Sequence, residues 1–576
     1  MVSTCPDPSP GEKVPSWKVW RSPPGQPAWA RPALLGIAAV AALLYALNIV
    51  HAGYAPLYSS AVKTMSQSWK AFLFGGLNSQ ATLDKLPGSF MVQALSARIF
   101  GYHAWSLALP QVIEGVISTL VMYRIVRRWA GAAPGLLAAG LFATTPIVAS
   151  MFGHSMEDGA LVMCLVLAAD SAQRAMIEAR LRSLLWAGFW IGIGFQAKML
   201  EAWMLLPALA LAYLLTAPGS LRRRLWHLAA AGLVMLAVSF SLIAVYTLTP
   251  ASDRPYISGS TDNSALAMVF GYNGLGRFGI NVPGAENINA GLAPGAVTTG
   301  NKPPAGSVEP RPGSGSHAES SSARAGHSPV PSSAVQANMV GGTNSGWDKL
   351  FGGRFGPEAG WLYPIALLTL AAGLWWRRRR ERTDTMRGGL VMWGTWLLTF
   401  GIIYSAMNAV PHTAYVAELA PPVAALSGMG IVALWRLRAS GRLPGVVLSL
   451  AVAAELAWAG WLWSGYPGFL PWVLWTAVGA GMAAAMVLAP PRLAGTRHPR
   501  LQAAALAIAL VAMLAPPVTW GASVLDLKYA GNSFDASAGP VPPKSGHVEG
   551  PANVRPAEGA RSRPPASRPA PPRARP

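Results

Sequence analysis

Residues 105–128 read WSLALPQVIEGVISTLVMYRIVRR. A run with one charge, Glu114, reaches Tyr123, and Arg124, Arg127 and Arg128 crowd its end. As a helix, such a run crosses a hydrocarbon core of about 30 Å, and clustered arginines hold that end on the cytoplasmic side.

The unit recurs along the chain. Apolar runs of spanning length occupy 32–50, 105–123, 132–150, 158–174, 184–197, 200–217, 226–248, 361–376, 388–408, 413–435, 444–463, 470–490 and 501–520, thirteen in all. Arginines fill alternate connections: Arg174, Arg180 and Arg182; Arg222 to Arg224; Arg377 to Arg380; Arg436 and Arg438; Arg492, Arg497 and Arg500. The short loops between hold almost no Lys or Arg. This predicts an all-α polytopic protein of the cell (plasma) membrane, with a cytoplasmic N-terminus and an external C-terminus.

Composition agrees, because only 12% of the 576 residues are charged and 52% are hydrophobic, against about 25% charge in an average soluble domain. The net charge of +21 is thus topological, and nucleic acid is not an expected partner. Cys5 and Cys164 are too few and too differently placed for a disulfide framework. The first thirty residues, rich in Pro, Ser and basic residues, do not read as a cleavable signal.

The domain reading is a cytoplasmic tail over 1–31, a membrane domain over 32–520 and an external Pro-rich tail over 521–576, expected to be disordered. Two external loops interrupt the membrane domain. In the first, 51–104, Tyr58, Ala61, Val62, Met65, Trp69, Phe72 and Leu73 recur at helical spacing and predict a helix lying in the membrane interface. In the second, 249–360, a Gly, Pro, Ala and Ser-rich stretch over 283–340 is expected to be disordered. The less repetitive segments PASDRPYISGSTDNS, FGYNGLGRFG and TNSGWDKLFGGRFG are expected to fold over the membrane surface.

Ionisable residues in or at the rim of a membrane are costly and line polar cavities or pair with one another. Here nearly all fall at the external ends of spans. Asp84 and Lys85, before Pro87, suit an acid acting on an acceptor hydroxyl or a metal and a base holding a lipid phosphate; equally, they suit a helix cap and a snorkelling lysine. Between the third and fourth spans, His154, Glu157 and Asp158 either coordinate a divalent cation or position an acceptor, or the two acids simply complement a helix dipole. Lys198 and Glu201 stand three residues apart at a break, where an ion pair is possible. Arg254 follows Asp253 in the second loop. His412, Tyr415 and Glu418 form a stripe at the start of a late span, facing a cavity or anchoring at the interface.

The order of these motifs resembles the GT-C glycosyltransferases, in the family 39 branch with protein O-mannosyltransferases and the lipid A aminoarabinose transferase. DKLP followed by SFMVQALSARIFG is similar to that family's K-P-P segment, and MEDGAL to its acidic motif after the third span. GFQAKMLEAW resembles its glycine-to-lysine turn, and PHTAYVAELAPPVAAL its late R/H-x-x-Y span. SQSWKAFLFG, RPYISGS and FGYNGLGR resemble actinobacterial mannosyltransferase-type proteins, and the likeness covers most of 32–435.

The resemblance implies a membrane glycosyltransferase that moves a sugar, mannose being one candidate, from a polyprenyl-phosphate donor to an acceptor glycan, lipid or protein of the envelope. Asp84, Glu157 and Asp158 would be its catalytic acids. Lys85, His154, Lys198, Arg254, His412 and Tyr415 would bind substrate. A divalent Mg or Mn ion would rest on Asp84 and Asp158. One departure stands out: where the family carries an Asp-Glu pair early in the first loop, this chain reads HAGYAPLY, with Ala55 and Pro56. Either Asp84 or the Glu157 and Asp158 pair takes over that duty, or the protein does not work by the usual mechanism. A lipid or solute transporter and an inactive lipid-carrier-binding protein are the alternatives.

Overall fold

The computed structural model describes residues 20–47, 49–287, 346–408, 410, 412–437, 442–489 and 499–540. Among them there is no strand, only three isolated bridges in the loops. The first half contains α1 (Ala30–Ala46), α2 (Pro56–Gln67), α3 (Trp69–Phe74), α4 (Gly88–Phe100), α5 (Ala104–Ala130), α6 (Ala132–Thr144), α7 (Pro146–Met151), α8 (Asp158–Glu178), α9 (Leu181–Lys198), α10 (Leu200–Trp203), α11 (Leu206–Thr216), α12 (Leu221–Ser239) and α13 (Ser241–Leu248). The second contains α14 (Gly356–Ala359), α15 (Tyr363–Arg377), α16 (Thr385–Ala406), α17 (Ala420–Leu437), α18 (Arg442–Ser464), α19 (Pro471–Leu488) and α20 (Pro499–Ala522).

Every predicted span falls on helix, though not always on one unbroken helix. Pro146 opens a new helix within 132–150, as expected of a residue that cannot donate to the preceding turn. Span 226–248 bends by 44° between α12 and α13. Among the described residues, seven helices are long and apolar enough to cross a membrane alone, or eight with the bent pair counted as one. The expected thirteen crossings are not reached on length alone.

The predicted interfacial helix is two helices. Ser68 breaks it with extended backbone, and its hydroxyl caps α3 by accepting from Ala71 N. Tyr58, Ala61, Val62 and Met65 are buried with Phe90, Ala94 and Ala97 of α4, so the apolar stripe packs on protein, while Trp69 is exposed.

The second loop folds onto the first: Tyr256 N donates to Gln80 O at 2.8 Å, and Thr82 N to Tyr256 O at 2.9 Å. Apart from 283–287, the stretch 283–340 lies outside the described residues, as do 1–19 and 541–576.

The tail reading from 521 needs correction over its first part. Residues 521–540 are packed: Trp520 Nε1 donates to Ala538 O at 2.8 Å, Ala538 N to Glu358 Oε1 at 2.9 Å and Gly539 N to Ser523 Oγ at 2.7 Å. The physical reason is compositional. This part mixes small residues with Val524, Leu525, Tyr529 and Phe534, and the proline-rich sequence begins only at Pro540.

Candidate active site

Helices α8 and α9 run antiparallel in sequence order, so Asp158, first in α8, meets Lys198, last in α9. Lys198 pairs with Asp158, and with Glu201 of α10 at 3.1 Å. Between them Met199 takes a left-handed φ of 47°, a strained turn for a residue with a side chain. That turn ends α9 and lets acids on both sides reach one ammonium.

Beside this group, Lys85 Nζ lies 2.7 Å from Glu157 Oε1, and both side chains are buried. Burial opposes the charge of each. For Lys85, Glu157 above all overrules burial and, with Tyr58 and Asp84 beside it, holds the ammonium well above its usual pKa. For Glu157, Lys85 and then Lys198 overrule it and bring the carboxyl down to about 2. The two form a buried ion pair.

Each lysine also rests on an aromatic ring. Lys85 Nζ stands 4.5 Å from the centre of Tyr58, and Lys198 Nζ 3.5 Å from that of Tyr415. The Thr413–Leu419 segment is a 3-10 turn, in which residues three apart eclipse. Tyr415 and Glu418 thus share one face, and the ring of His412, extended just before the turn, stacks on Tyr415 at 6.2 Å.

Asp84 precedes Lys85 in the first loop. It is buried, Asn273 Nδ2 holds its main-chain oxygen at 2.6 Å, and among the described residues its Oδ1 has no hydrogen-bond partner. Arg277, in the FGYNGLGRFG segment, joins the cluster electrostatically. Burial opposes its charge, but Tyr415, Tyr272, Glu201 and Asp84 raise its pKa above the ordinary arginine value.

Asp84, Lys85, Glu157, Asp158, Lys198, His412 and Tyr415 thus converge on one site, as do Glu201 and Arg277. Two expected residues do not join. His154 is buried with Nδ1 2.8 Å from Ser150 O, its own preceding turn. Arg254 ties the second loop together through Asn263 Oδ1 at 2.6 Å and Thr249 O at 3.2 Å. Both have structural work where substrate contact was expected. Arg277 and Tyr58 were missed, although their segments were singled out, because no residue type or spacing marks them until the loops fold together.

The donor set does not fit a divalent cation on Asp84 and Asp158. Asp158 already faces an ammonium, and among the described residues no three His, Cys, Asp or Glu side chains gather to hold a metal. At the opposite ends of α5 and α8, Asp170 is buried under Arg124, Arg128 and Arg174 at 2.6, 2.6 and 2.9 Å. The site and the arginine-rich connections therefore occupy opposite ends of the same helices.

The chain is similar to known proteins. The family described as "Dolichyl-phosphate-mannose-protein mannosyltransferase" matches residues 84–243, the stretch from Asp84 into α13. "Putative mannosyltransferase YkcB" of Bacillus subtilis is 30% identical over 542 residues, covering 84% of this chain and 73% of that protein. "Undecaprenyl phosphate-alpha-4-amino-4-deoxy-L-arabinose arabinosyl transferase 2" of Pseudomonas fluorescens is 26% identical over 196 residues, 33% of this chain and 32% of that one. Among solved structures, apo ArnT from Cupriavidus metallidurans superposes with a TM-score of 0.50 over 86% of this chain and 78% of that one, at 16% identity. That likeness shows a shared fold.

Proposed function

Since this chain belongs to the GT-C glycosyltransferase family of its mannosyltransferase-type relatives, we propose that it transfers a sugar from a polyprenyl-phosphate donor to an envelope acceptor, with inversion, at the external face of the plasma membrane. The names of the matched family and of the arabinosyl transferase supply the donor class. The observation that carries the reading is a site that holds two buried lysines, Lys85 and Lys198, and the half-buried Arg277 together with Asp84, a buried acid whose Oδ1 has no hydrogen-bond partner among the described residues.

An acceptor hydroxyl attacks the anomeric carbon and passes its proton to Asp84. The bond from that carbon to the phosphate oxygen breaks, and its electron pair leaves on the polyprenyl phosphate. The phosphate gains negative charge as it departs, and Lys85, Lys198 and Arg277 stabilise that charge where water is excluded. Glu157 and Asp158 keep the two lysines placed when no donor is bound. Asp84 thereby takes the duty of the acid absent at Ala55, which is buried at the start of α2.

The test is consumption of a radiolabelled polyprenyl-phosphate sugar by the purified full-length protein. Wild type should turn over, and Asp84→Asn should lose at least about a hundredfold in kcat, the usual worth of a general base. Donor binding without turnover by wild type would favour a lipid-carrier-binding protein, and an active Asp84→Asn would remove that residue's role.

A further inference from the structure

The segment after the last span crosses the site. Ser533 Oγ donates to Ala52 O at 2.8 Å and accepts from Ser155 N at 3.4 Å, linking the start of the first loop to the loop that carries Glu157. Asp535 accepts from Thr413 N at 2.9 Å and Thr413 Oγ1 at 2.8 Å, and pairs with Arg354. The segment is fastened on both sides.

Between these fastenings lies Phe534. Its ring is edge-on to His412 at 4.5 Å and near-parallel to Tyr58 at 6.4 Å. Tyr58 carries the Lys85 ammonium, and His412 stacks on Tyr415, which carries the Lys198 ammonium. One ring therefore bridges the two aromatic platforms beneath the two lysines. Aromatic pairs of this kind favour defined geometries.

We propose that Phe534, held in place by Ser533 and Asp535, is a positioning residue of the transfer site that sets the spacing of Lys85 and Lys198 through Tyr58 and His412. The inference rests on the donor-phosphate reading above. Because the two lysines would share one phosphate, an error in their spacing weakens donor binding, and a misplacement of about 1 Å can cost up to a hundredfold. The tail is then part of the enzyme's site as well as a trailing end.

The test uses full-length wild type, Phe534→Ala and Phe534→Tyr, each measured for donor KM, for affinity toward sugar-free polyprenyl phosphate and for apparent Tm. Phe534→Ala should raise donor KM and weaken polyprenyl-phosphate binding about tenfold, and Phe534→Tyr should stay within threefold of wild type. A smaller folded fraction lowers the maximal rate but cannot raise KM. If wild type turns over and Phe534→Ala matches its KM and its affinity, the inference falls while the function stands. If wild type binds polyprenyl phosphate without transferring sugar, the function falls, and a tenfold weaker affinity of Phe534→Ala still supports the positioning role. A wild type that neither binds nor turns over overturns both.

Discussion

A buried lysine needs a partner, and Lys85 has one in Glu157. Removing one member of a buried pair leaves the other uncompensated and costs about 3–5 kcal/mol, whereas replacing both with neutral groups is often tolerated. Lys85→Met and Glu157→Gln should each lower unfolding stability in detergent by about that amount, and the double variant should recover most of the loss. Single variants with full stability would mean that the pair is solvated. His412 offers a pH readout. Burial, then Lys85, Lys198 and Arg277, hold it well below the ordinary histidine value against a smaller pull from Glu157. The folded protein thus refuses a proton that the unfolded chain binds below about pH 6.5. Stability should fall from pH 7 to 5 with a slope of up to about 1.4 kcal/mol per unit, and apparent Tm in His412→Asn should be flatter over the same range. Glu157 adds little slope there. Its depressed pKa of about 2 makes its contribution complete above about 4.3 and lost only as pH falls toward the folded value. At this scale the sequence was informative about which acids and bases stand near the membrane rim, but silent about pairing: Lys85 and Glu157 are 72 residues apart, and only the fold joins them.

Helices place these residues through close backbone contacts. Gly88, at the start of α4, lies so near the end of α9 that an added Cβ would meet Gln196 O at 2.5 Å and its carbonyl carbon at 2.6 Å. Both are backbone atoms, so neither can yield without moving a helix. Gly88→Ala should therefore cost about 1–3 kcal/mol of stability and, by pushing Lys85 away from Lys198, should also weaken donor binding. A thermal shift assay and the donor KM read the two effects separately, and an alanine variant unchanged in both would contradict the contact. The apolar runs made the helices legible, since length and hydropathy are local properties. Their breaks were less so. The α9–α10 break was marked only by charge, and the split of the first-loop helix at Ser68 follows from packing on α4, which periodicity does not report. The His412–Glu418 segment, read as successive turns of one helix, is a 3-10 turn that begins only at Thr413.

Across the whole molecule, the membrane class and helical bundle followed from composition, whereas the tail strap could not. Ser533 and Ala52 are separated by 481 residues, and small residues such as those around Ser533 give no local signal of where they dock. The same global view bears on sidedness. The arginine connections and the site lie at opposite ends of α8 and α9, so the positive-inside rule predicts that the site and residues 530–540 face outside. In a Cys5→Ser background, Asn532→Cys, exposed beside the strap, should react with a membrane-impermeant maleimide in intact cells. Arg379→Cys, exposed after α15, should react only after permeabilisation. Cys164 is buried and should stay silent in both cases. The reverse labelling pattern would set the site in the cytoplasm, where nucleotide sugars are at hand and a lipid-linked donor would not be required, so one experiment on orientation also tests why the donor should be a lipid.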